Sequence, residues 1–327
     1  MLKKNRGPEC QDCVSRRDFM SQSAGAAVAA SAAAYFGANA AVNAAPSKAS
    51  SAEIAAKELH ASLTADQKKV VALPWNDPRR TKINPNWSIT EIEIGTFFKK
   101  PQIELIHRVV KGITSEDGYA RFQQQMDEDG GGFDAYAIAL FGDPDSGPFE
   151  FELTGRHLTL RADGNTTPGA AFGGPLVYGH SVKGNSSKNL FSYQTKQANE
   201  VFKALDGKQR KKALLAKAPN EGAVKLRKNV NALPGIAVGT LSGDQQELVA
   251  DTLKAILKPY RKEDVDEAME VIKAGGGMEK MQIAFYQSGD LDNDKVWDVW
   301  RLEGPTAVCH FRGAPHVHAY INIARRS

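Results

Sequence analysis

The chain has 327 residues, of which 42% are hydrophobic, a formal net charge of +4 at pH 7, and three cysteines. Residues 1–44 contain five basic and three acidic residues, so the rest of the chain carries only +2. This weak charge does not indicate a nucleic-acid partner. The remainder is long enough for one large domain or two small ones, and Cys309, alone outside the first thirteen residues, excludes an intramolecular disulfide there.

The N-terminus has the pattern of a twin-arginine signal. Residues 15–20 read "SRRDFM", and an uncharged, alanine-rich stretch follows over residues 21–42 with small residues at two A-x-A-like positions. This stretch is too weakly apolar for a good membrane span, and no lipid-attachment cysteine follows it. We therefore expect residues 1–44 to be a cleaved signal peptide. The product would be exported through the twin-arginine machinery to the periplasm or beyond, with no stable membrane anchor. Because this route carries folded proteins, it also favours a bound cofactor.

Three similar helix starts follow along the chain. A Ser-, Ala- and Lys-rich segment first predicts a flexible linker over residues 45–59. "SLTADQ", "ALDGKQ" and "TLSGDQ" then each place a capping residue three positions before a glutamine, as in a capping box. These motifs predict helices that begin after Thr64, Asp206 and Ser242, with a structural role.

The remaining pattern predicts a single α+β domain over residues 60–327. Alternating apolar residues predict strands in "FDAYAIALFG", in residues 149–163 and in four segments after residue 280. A Lys- and Glu-rich helical block, about residues 183–275, separates these two strand-rich parts. We expect an antiparallel sheet built from two separated stretches, with the helical block between them.

The segment "FEFELTGRHLTLRAD", residues 149–163, has an interrupted alternation. Its apolar positions change parity near Gly155, which is typical of a β-bulge at Gly155 and Arg156 within one strand. The bulge would direct His157 away from the regular strand pattern.

The last strand, residues 315–323, sorts its side chains by parity. Val317, Ala319, Ile321 and Ile323 would form a core face, and His316, His318, Tyr320 and Asn322 the other. A two-residue turn at Gly313 and Ala314 would place Cys309 opposite His318, whereas a loop one residue longer or shorter would bring His310 to the histidine face. The sequence leaves this register open.

These histidines predict a transition-metal site. His316 and His318 project from the same side of a strand, and His157 and His180 lie in glycine-punctuated segments where sites are often built. We predict His157, His180, His316 and His318 as ligands, joined by His310 or Cys309 depending on the register. Imidazole ligands suit Cu, Fe or Zn better than Ca or Mg. Arg156 and Tyr320 are candidate catalytic residues, Arg156 as the group that holds an anion.

Five motifs together resemble a bacterial family known as domain of unknown function 3500. They are "SLTADQ", "FGDP", "FELTGRHLTL", "AFGGP" and the closing "HVHAYINIARR", and the similarity covers about residues 60–327. Members of this family are often exported. Many have two adjacent histidines where this chain has Arg156 and His157, and the family implies no activity.

Three functional hypotheses follow. The first is an exported metalloprotein, an enzyme with redox or hydrolytic chemistry on a small-molecule substrate. The second is a metal-free exported protein that binds or hydrolyses a sugar or organic acid with the same His and Arg residues, where His157 or His180 acts as a general base. The third is an exported protein with a structural role only.

Overall fold

The computed structural model describes residues 45–227, 230 and 232–325. The predicted signal peptide, residues 1–44, lies outside this described part. The described chain contains nine α-helices: α1 (Ser51–Ser62), α2 (Ala65–Val71), α3 (Ile94–Phe97), α4 (Lys100–Ile113), α5 (Glu116–Gly130), α6 (Ser192–Ala204), α7 (Gly207–Ala213), α8 (Gly243–Leu257) and α9 (Lys262–Ala274).

Eleven strands form one mostly antiparallel sheet. They are β1 (Ala72–Leu73), β2 (Ala137–Gly142), β3 (Phe149–Gly155), β4 (Leu158–Ala162), β5 (Leu176–Lys183), β6 (Leu214–Leu215), β7 (Ile236–Ala237), β8 (Gln282–Tyr286), β9 (Val299–Glu303), β10 (Ala307–Arg312) and β11 (His316–Ile323). The order is β1-β2-β3-β4-β5-β11-β10-β9-β8-β6, with β7 pairing to β8. The predicted α+β class, with two strand-rich parts and a helical block between them, is confirmed.

The sheet is built from two halves with a matching order of elements. In each half a short helix leads into a two-residue strand, β1 or β6, that pairs in parallel with the first strand of a four-stranded antiparallel meander. The two meanders, β2 to β5 and β8 to β11, meet where their last strands pair as antiparallel neighbours. The centre of the sheet is therefore the junction between the halves.

Helix capping follows the sequence motifs closely. Thr64, Asp206 and Ser242 each accept a hydrogen bond from the backbone of the glutamine three positions on, and each glutamine side chain reaches back. Each pair satisfies backbone N–H groups that the first helical turn leaves free. The three predicted helix starts are confirmed.

The segment predicted as a flexible linker is largely helical. Helix α1 begins at Ser51 and buries Ala52, Ala55, Ala56 and Leu59 completely. These small side chains allow α1 to approach α4 closely, since a Cβ added at Gly112 would lie 2.9 Å from the Cα of Ala52. The alanine-rich composition predicted flexibility, but alanines at positions 52, 55 and 56 also allow two helices to pack closely.

Residues 149–163 form a hairpin rather than one bulged strand. Gly155 pairs with Leu158, so Arg156 and His157 are the two turn residues between β3 and β4. Residues that pair across a hairpin share a face, which explains why Leu153 and Leu160 lie on the same side although their parity differs. The bulge prediction is wrong, and the apparent parity change is the reversal of the chain.

The two faces of the sheet have different coverings. All nine described helices pack on one face, over a large apolar core that includes Trp300, Phe311 and Ile321. The other face is covered by connecting segments that contribute small apolar clusters, such as Val177 with Val224, Val308 and Tyr320. Among the described residues, no helix combines the length and hydropathy that crossing a membrane would need.

Candidate metal centre

Three histidines meet where the two halves of the sheet join. His157 comes from the β3–β4 turn, and His316 and His318 come from the start of β11. Their ring centroids form a nearly equilateral triangle with sides of 4.9, 5.0 and 4.8 Å. One nitrogen from each ring lies within 4.8 Å of the other two, so this histidine triad can hold a metal ion.

Hydrogen bonds to a backbone carbonyl stabilise the turn that presents His157. His157 has a φ of 58°, and the carbonyl oxygen of Arg156 accepts hydrogen bonds from the Tyr136 hydroxyl at 2.6 Å and the Gln125 amide at 3.0 Å. Gly155 allows this arrangement because any Cβ there would overlap the Tyr136 ring. A left-handed conformation costs energy for a residue with a side chain, so the surrounding contacts must stabilise it.

A glycine on the neighbouring strand makes room for His318. Gly179 in β5 lies directly opposite His318 in β11. A Cβ on Gly179 would overlap the Val317 carbonyl oxygen and would lie 3.0 Å from Cδ2 of the His318 ring. The strand β5 therefore has no side chain where the imidazole of β11 lies.

Two carboxylates fix the orientation of two of the rings. Nδ1 of His157 lies 2.7 Å from Oδ2 of Asp129, and Nδ1 of His318 lies 3.1 Å from Oε1 of Glu221. An ionised carboxylate only accepts hydrogen bonds, so each Nδ1 donates, and in the neutral ring Nε2 keeps its lone pair. Carboxylate, histidine and metal commonly form such a chain, in which the carboxylate sets the tautomer.

The ionisation of these groups agrees with that arrangement. Burial alone would raise the pKa of Asp129, but hydrogen bonds from His157 and Ser181 outweigh it and lower the pKa to about 2. Burial lowers the pKa of His318, and burial together with the neighbouring His318 and Arg312 lowers the pKa of His316 to about 4. His316 and His318 are therefore neutral near pH 7, the form that binds metals.

The spacing of His316 and His318 suits two ligands of one ion. Their Nε2 atoms lie 3.1 Å apart. Nitrogens bound at about 2.05 Å to a tetrahedral metal lie about 3.3 Å from each other. The same distance also permits a direct hydrogen bond, with Nε2 of His316 donating to His318.

His180 lies outside the triad although it is the fourth predicted ligand. Its Nε2 lies 2.7 Å from a carboxylate oxygen of Glu128, and its Nδ1 accepts a hydrogen bond from the backbone of Leu190. Both ring nitrogens are therefore engaged. His180 pairs with Val317, whose side chain belongs to the helix-covered core, which explains why it points away from His316 and His318.

The hairpin register also resolves the two remaining candidate ligands. Arg312 pairs with His318 and His310 with Tyr320, so the two-residue turn that would pair Cys309 with His318 is not formed. Cys309 is completely buried in the helix-covered core, where burial raises the pKa of its thiol to about 12. His310 shares the face of His318 but lies one strand further, beside Tyr286 and outside the triad.

The two predicted catalytic residues border the triad. Arg156 is exposed and donates to the Ser181 hydroxyl at 3.2 Å, and its charge helps to lower the pKa of His316. The Tyr320 hydroxyl donates to Glu221 at 3.4 Å, and burial raises its pKa well above the usual range. Tyr320 is therefore part of the support of His318, whereas Arg156 faces the solvent side.

Sequence reasoning missed Asp129 and Glu221. Helix α5 continues to Gly130 and carries both Glu128 and Asp129. Glu221 lies in an irregular segment between β6 and β7, far from His318 along the chain. Three adjacent carboxylates ahead of a glycine run, residues 127–129, are a local signal for Asp129.

A second group of metal-binding side chains has a simpler explanation. His60, Asp143 and Asp145 approach one another, but both carboxylates are exposed. Asp143 accepts hydrogen bonds from Ser146 and from the backbone of Asp145, and Asp145 forms an ion pair with Lys57. The Asp143 hydrogen bonds close the turn between β2 and β3, and the ion pair connects this turn to α1.

A family model described as "Protein of unknown function (DUF3500)" matches residues 45–323. The chain belongs to this family. The predicted resemblance is confirmed, and the match extends from before α1 to the last residue of β11. No curated protein and no solved structure gives a significant match to this DUF3500 protein. Its functional interpretation therefore depends on the triad and its surroundings.

Proposed function

We propose that this DUF3500 protein is an exported metalloenzyme that binds one Cu, Fe or Zn ion through His157, His316 and His318. The observation that carries the proposal is the pairing of Asp129 with His157 and of Glu221 with His318. In each pair the carboxylate holds Nδ1 as the donor, so in the neutral ring the Nε2 lone pair lies on the side away from the carboxylate. Two buried histidines fixed in this way, together with a third within ligand distance, are the features of a three-histidine metal centre.

The donor set limits the choice of metal. Three imidazoles and no carboxylate in the triad suit Cu, Fe or Zn, whereas Ca and Mg prefer oxygen ligands. When bound, such an ion would supply redox chemistry or polarise a substrate oxygen. The protein groups would hold the ion and exclude water from its buried side, because His157 is 3% exposed and His318 is 6% exposed.

Arg156 gives the centre a preference for anionic substrates. Its guanidinium lies at the solvent side of the triad, where His316 is half-buried. The carboxylates that support the triad, Asp129 and Glu221, are already engaged by histidine and other donors. A substrate carboxylate or similar group would therefore meet the positive charges of Arg156 and the ion.

Export through the twin-arginine route belongs to the same proposal. The "SRRDFM" pattern supports it, and a metal inserted before export would suit a route that carries folded proteins. The test is a fusion of residues 1–50 to a reporter that is active only when exported folded. Replacement of Arg16 and Arg17 by Lys should abolish export, and unchanged export would contradict the route.

Metal analysis of protein purified without a histidine tag tests the metal centre. We expect about one equivalent of a single transition metal in the wild type and less than about a tenth in His316→Ala with His318→Ala. The matched control is His107→Gln, because His107 stacks on Phe133 in the α4 region and lies outside the triad. A wild-type content below about a tenth after gentle isolation and metal addition would contradict the proposal.

A second candidate function uses the same pocket without a metal. The distance of 3.1 Å between the Nε2 atoms of His316 and His318 permits a direct hydrogen bond, and the exposed Arg156 can meet a sugar acid or organic acid. On this alternative the wild type contains no metal, yet an organic acid raises its melting temperature. His316→Ala with His318→Ala would then lose that stabilisation.

A further inference from the structure

Three buried polar groups lie without protein partners on the triad side of the second half-sheet. They are the Tyr286 hydroxyl, Nη1 of Arg301 and Nδ1 of His310, and no described residue forms a hydrogen bond with any of them. Each of the three residues is 1% exposed. A buried polar group without a hydrogen-bond partner is unfavourable and rare in folded proteins, so three together require an explanation.

The sheet register brings these groups together. Arg301 in β9 pairs directly with His310 in β10, and on its other side with Ala284 in β8. Tyr286 lies two residues beyond Ala284 on the same strand and therefore on the same face. The rings of Tyr286 and His310 have centroids 6.4 Å apart. All three side chains thus border one buried position.

The first half-sheet contains a comparable arginine whose partners are complete. Arg161 in β4 contacts the carboxylates of Glu150 and Glu152 and donates to three backbone carbonyl oxygens, those of Arg80, Lys82 and Pro175. Arg301 has only the carboxylate of Glu303 and the carbonyl oxygen of Ala223. Arg301 therefore has fewer acceptors than this other buried arginine of the sheet, and its Nη1 has none among the described residues.

The chemistry of the three groups favours an acceptor. Burial raises the pKa of Tyr286 to about 12, so its hydroxyl keeps its proton and donates. Nη1 of Arg301 only donates, and burial together with Arg301 lowers the pKa of His310 to about 3, so its neutral ring can donate from Nδ1. Three buried donors without partners on one face of the sheet suit an ion that only accepts hydrogen bonds.

The local charge does not oppose an anion. Arg301 and Arg312 contribute two positive charges, and Glu303 and Glu221 contribute two negative charges through their ion pairs. Arg227, whose side chain is 43% exposed, adds a positive charge beside Glu303 at the solvent edge. An anion beside Arg301 would therefore meet no excess of negative charge among these groups.

We propose that Tyr286, Arg301 and His310 form a binding site for a small monovalent anion of halide size. The site is separate from the histidine triad, and Tyr320 lies between the two, since it pairs with His310 and its hydroxyl donates to Glu221. It does not depend on whether the triad binds a metal.

Thermal unfolding of the metal-free protein in bromide tests this site. Sodium bromide replaces sodium gluconate at constant ionic strength, and a chelator removes metal so that halide binding at the triad does not contribute. We expect the melting temperature to rise with bromide and to saturate, as for binding to one site in the folded state. Tyr286→Phe should weaken the apparent affinity for bromide about tenfold or more, because it removes one hydrogen bond to a charged acceptor.

Tyr260→Phe is the matched control. Its hydroxyl is also buried and without a partner among the described residues, but it lies in the helix-covered core. This variant should keep the wild-type response to bromide. An equal response in Tyr286→Phe and the wild type, or no response in the wild type, would overturn the proposal.

Crystals of the wild type soaked in sodium bromide give a second, direct measurement. The expected result is an anomalous bromine peak within hydrogen-bond distance of Nη1 of Arg301 and the Tyr286 hydroxyl. A water molecule at that position, with no anomalous signal, would overturn the proposal even if Tyr286→Phe failed to fold.

Discussion

The two halves of the sheet share an order of elements but differ at the turn between the second and third strands of each meander. In the first half this β3–β4 turn presents His157 to the other two histidines. In the second half the β9–β10 turn lies at the opposite end of β11, since Ala307 pairs with Ile323, and the Thr306 hydroxyl donates to the backbone of Val271 in α9. The same backbone element therefore serves a binding role in one half and a packing role in the other.

The two central strands differ in a complementary way. β11 contributes His318 and Tyr320 to the face away from the helices, whereas β5 has Gly179 and Val177 at the paired positions. Small side chains on β5 leave room for large ones on β11. The candidate site therefore belongs to neither half alone. The first half supplies one ligand and the space beside β5, and the second half supplies two ligands.

Removal of the ligand on the β3–β4 turn is expected to have the largest effect on metal affinity, and the β9–β10 turn supplies the control. His157→Ala removes a ligand, so it should lower the metal affinity more than the loss of an outer-sphere residue does, which is usually about 10–100-fold. Thr306→Ala, the corresponding change in the second half, should leave the metal affinity unchanged. Competition with a metallochromic chelator measures both. Equal affinities in the two variants would contradict the assignment of His157 as a ligand.

Filling the space on β5 should also disrupt the site. Gly179→Ala places a methyl group against the Val317 carbonyl oxygen and the His318 ring, so we expect lower metal content and a stability loss of about 1–3 kcal/mol. Gly147→Ala is the control, since its Cβ would contact no described atom within 4 Å. Urea unfolding and metal analysis measure the effects. A Gly179→Ala variant with full metal content would show that β11 does not need this space.

Removal of the orienting carboxylates should have a moderate effect. Asp129→Asn and Glu221→Gln are each expected to lower the metal affinity by about 10–100-fold while the protein remains folded. Glu128→Gln is the matched control, because Glu128 is the neighbour of Asp129 but pairs with His180. If Glu128→Gln lowered the metal affinity as much as Asp129→Asn, the result would indicate that His180, the partner of Glu128, is also a ligand.

The smallest expected effect is a pH dependence of stability, and it comes from Glu267 on the helix-covered face. Burial and the nearby Asp163 and Asp264 raise the pKa of Glu267 from its usual value of 4.5 to about 8. The folded state then binds more protons than the unfolded state between about pH 4.5 and 8, so the free energy of unfolding should fall as pH rises through this range. Urea unfolding at pH 5 and pH 8 measures this slope. Glu267→Gln should reduce it, and an unchanged slope would assign the dependence to other groups.

The sequence predicted those features that depend on local pattern. The capping boxes at Thr64, Asp206 and Ser242 and the core face of β11 follow from residue spacing over a few positions, and both are present in the structure. The α+β arrangement follows because the strand and helix periods separate clearly along the chain.

The features that sequence failed to predict depend on contacts between distant segments. The Arg156–His157 turn lacks a glycine or asparagine, so its hairpin was interpreted as a bulge, and Tyr136 and Gln125 stabilise it instead. The support of His318 by Glu221 depends on a pairing that no local spacing encodes. The position of His180 depends on the pairing of β5 with β11, which the sequence does not specify.

Anomalous diffraction at the absorption edge of the bound metal tests the central claim most directly. We expect one strong anomalous peak, from an ion bonded to Nε2 of His157, His316 and His318, with metal–nitrogen distances of about 2.0–2.1 Å if the ion is zinc. A peak at His60, Asp143 and Asp145 instead, or a metal-soaked crystal in which the triad shows only hydrogen-bonded histidines, would contradict it.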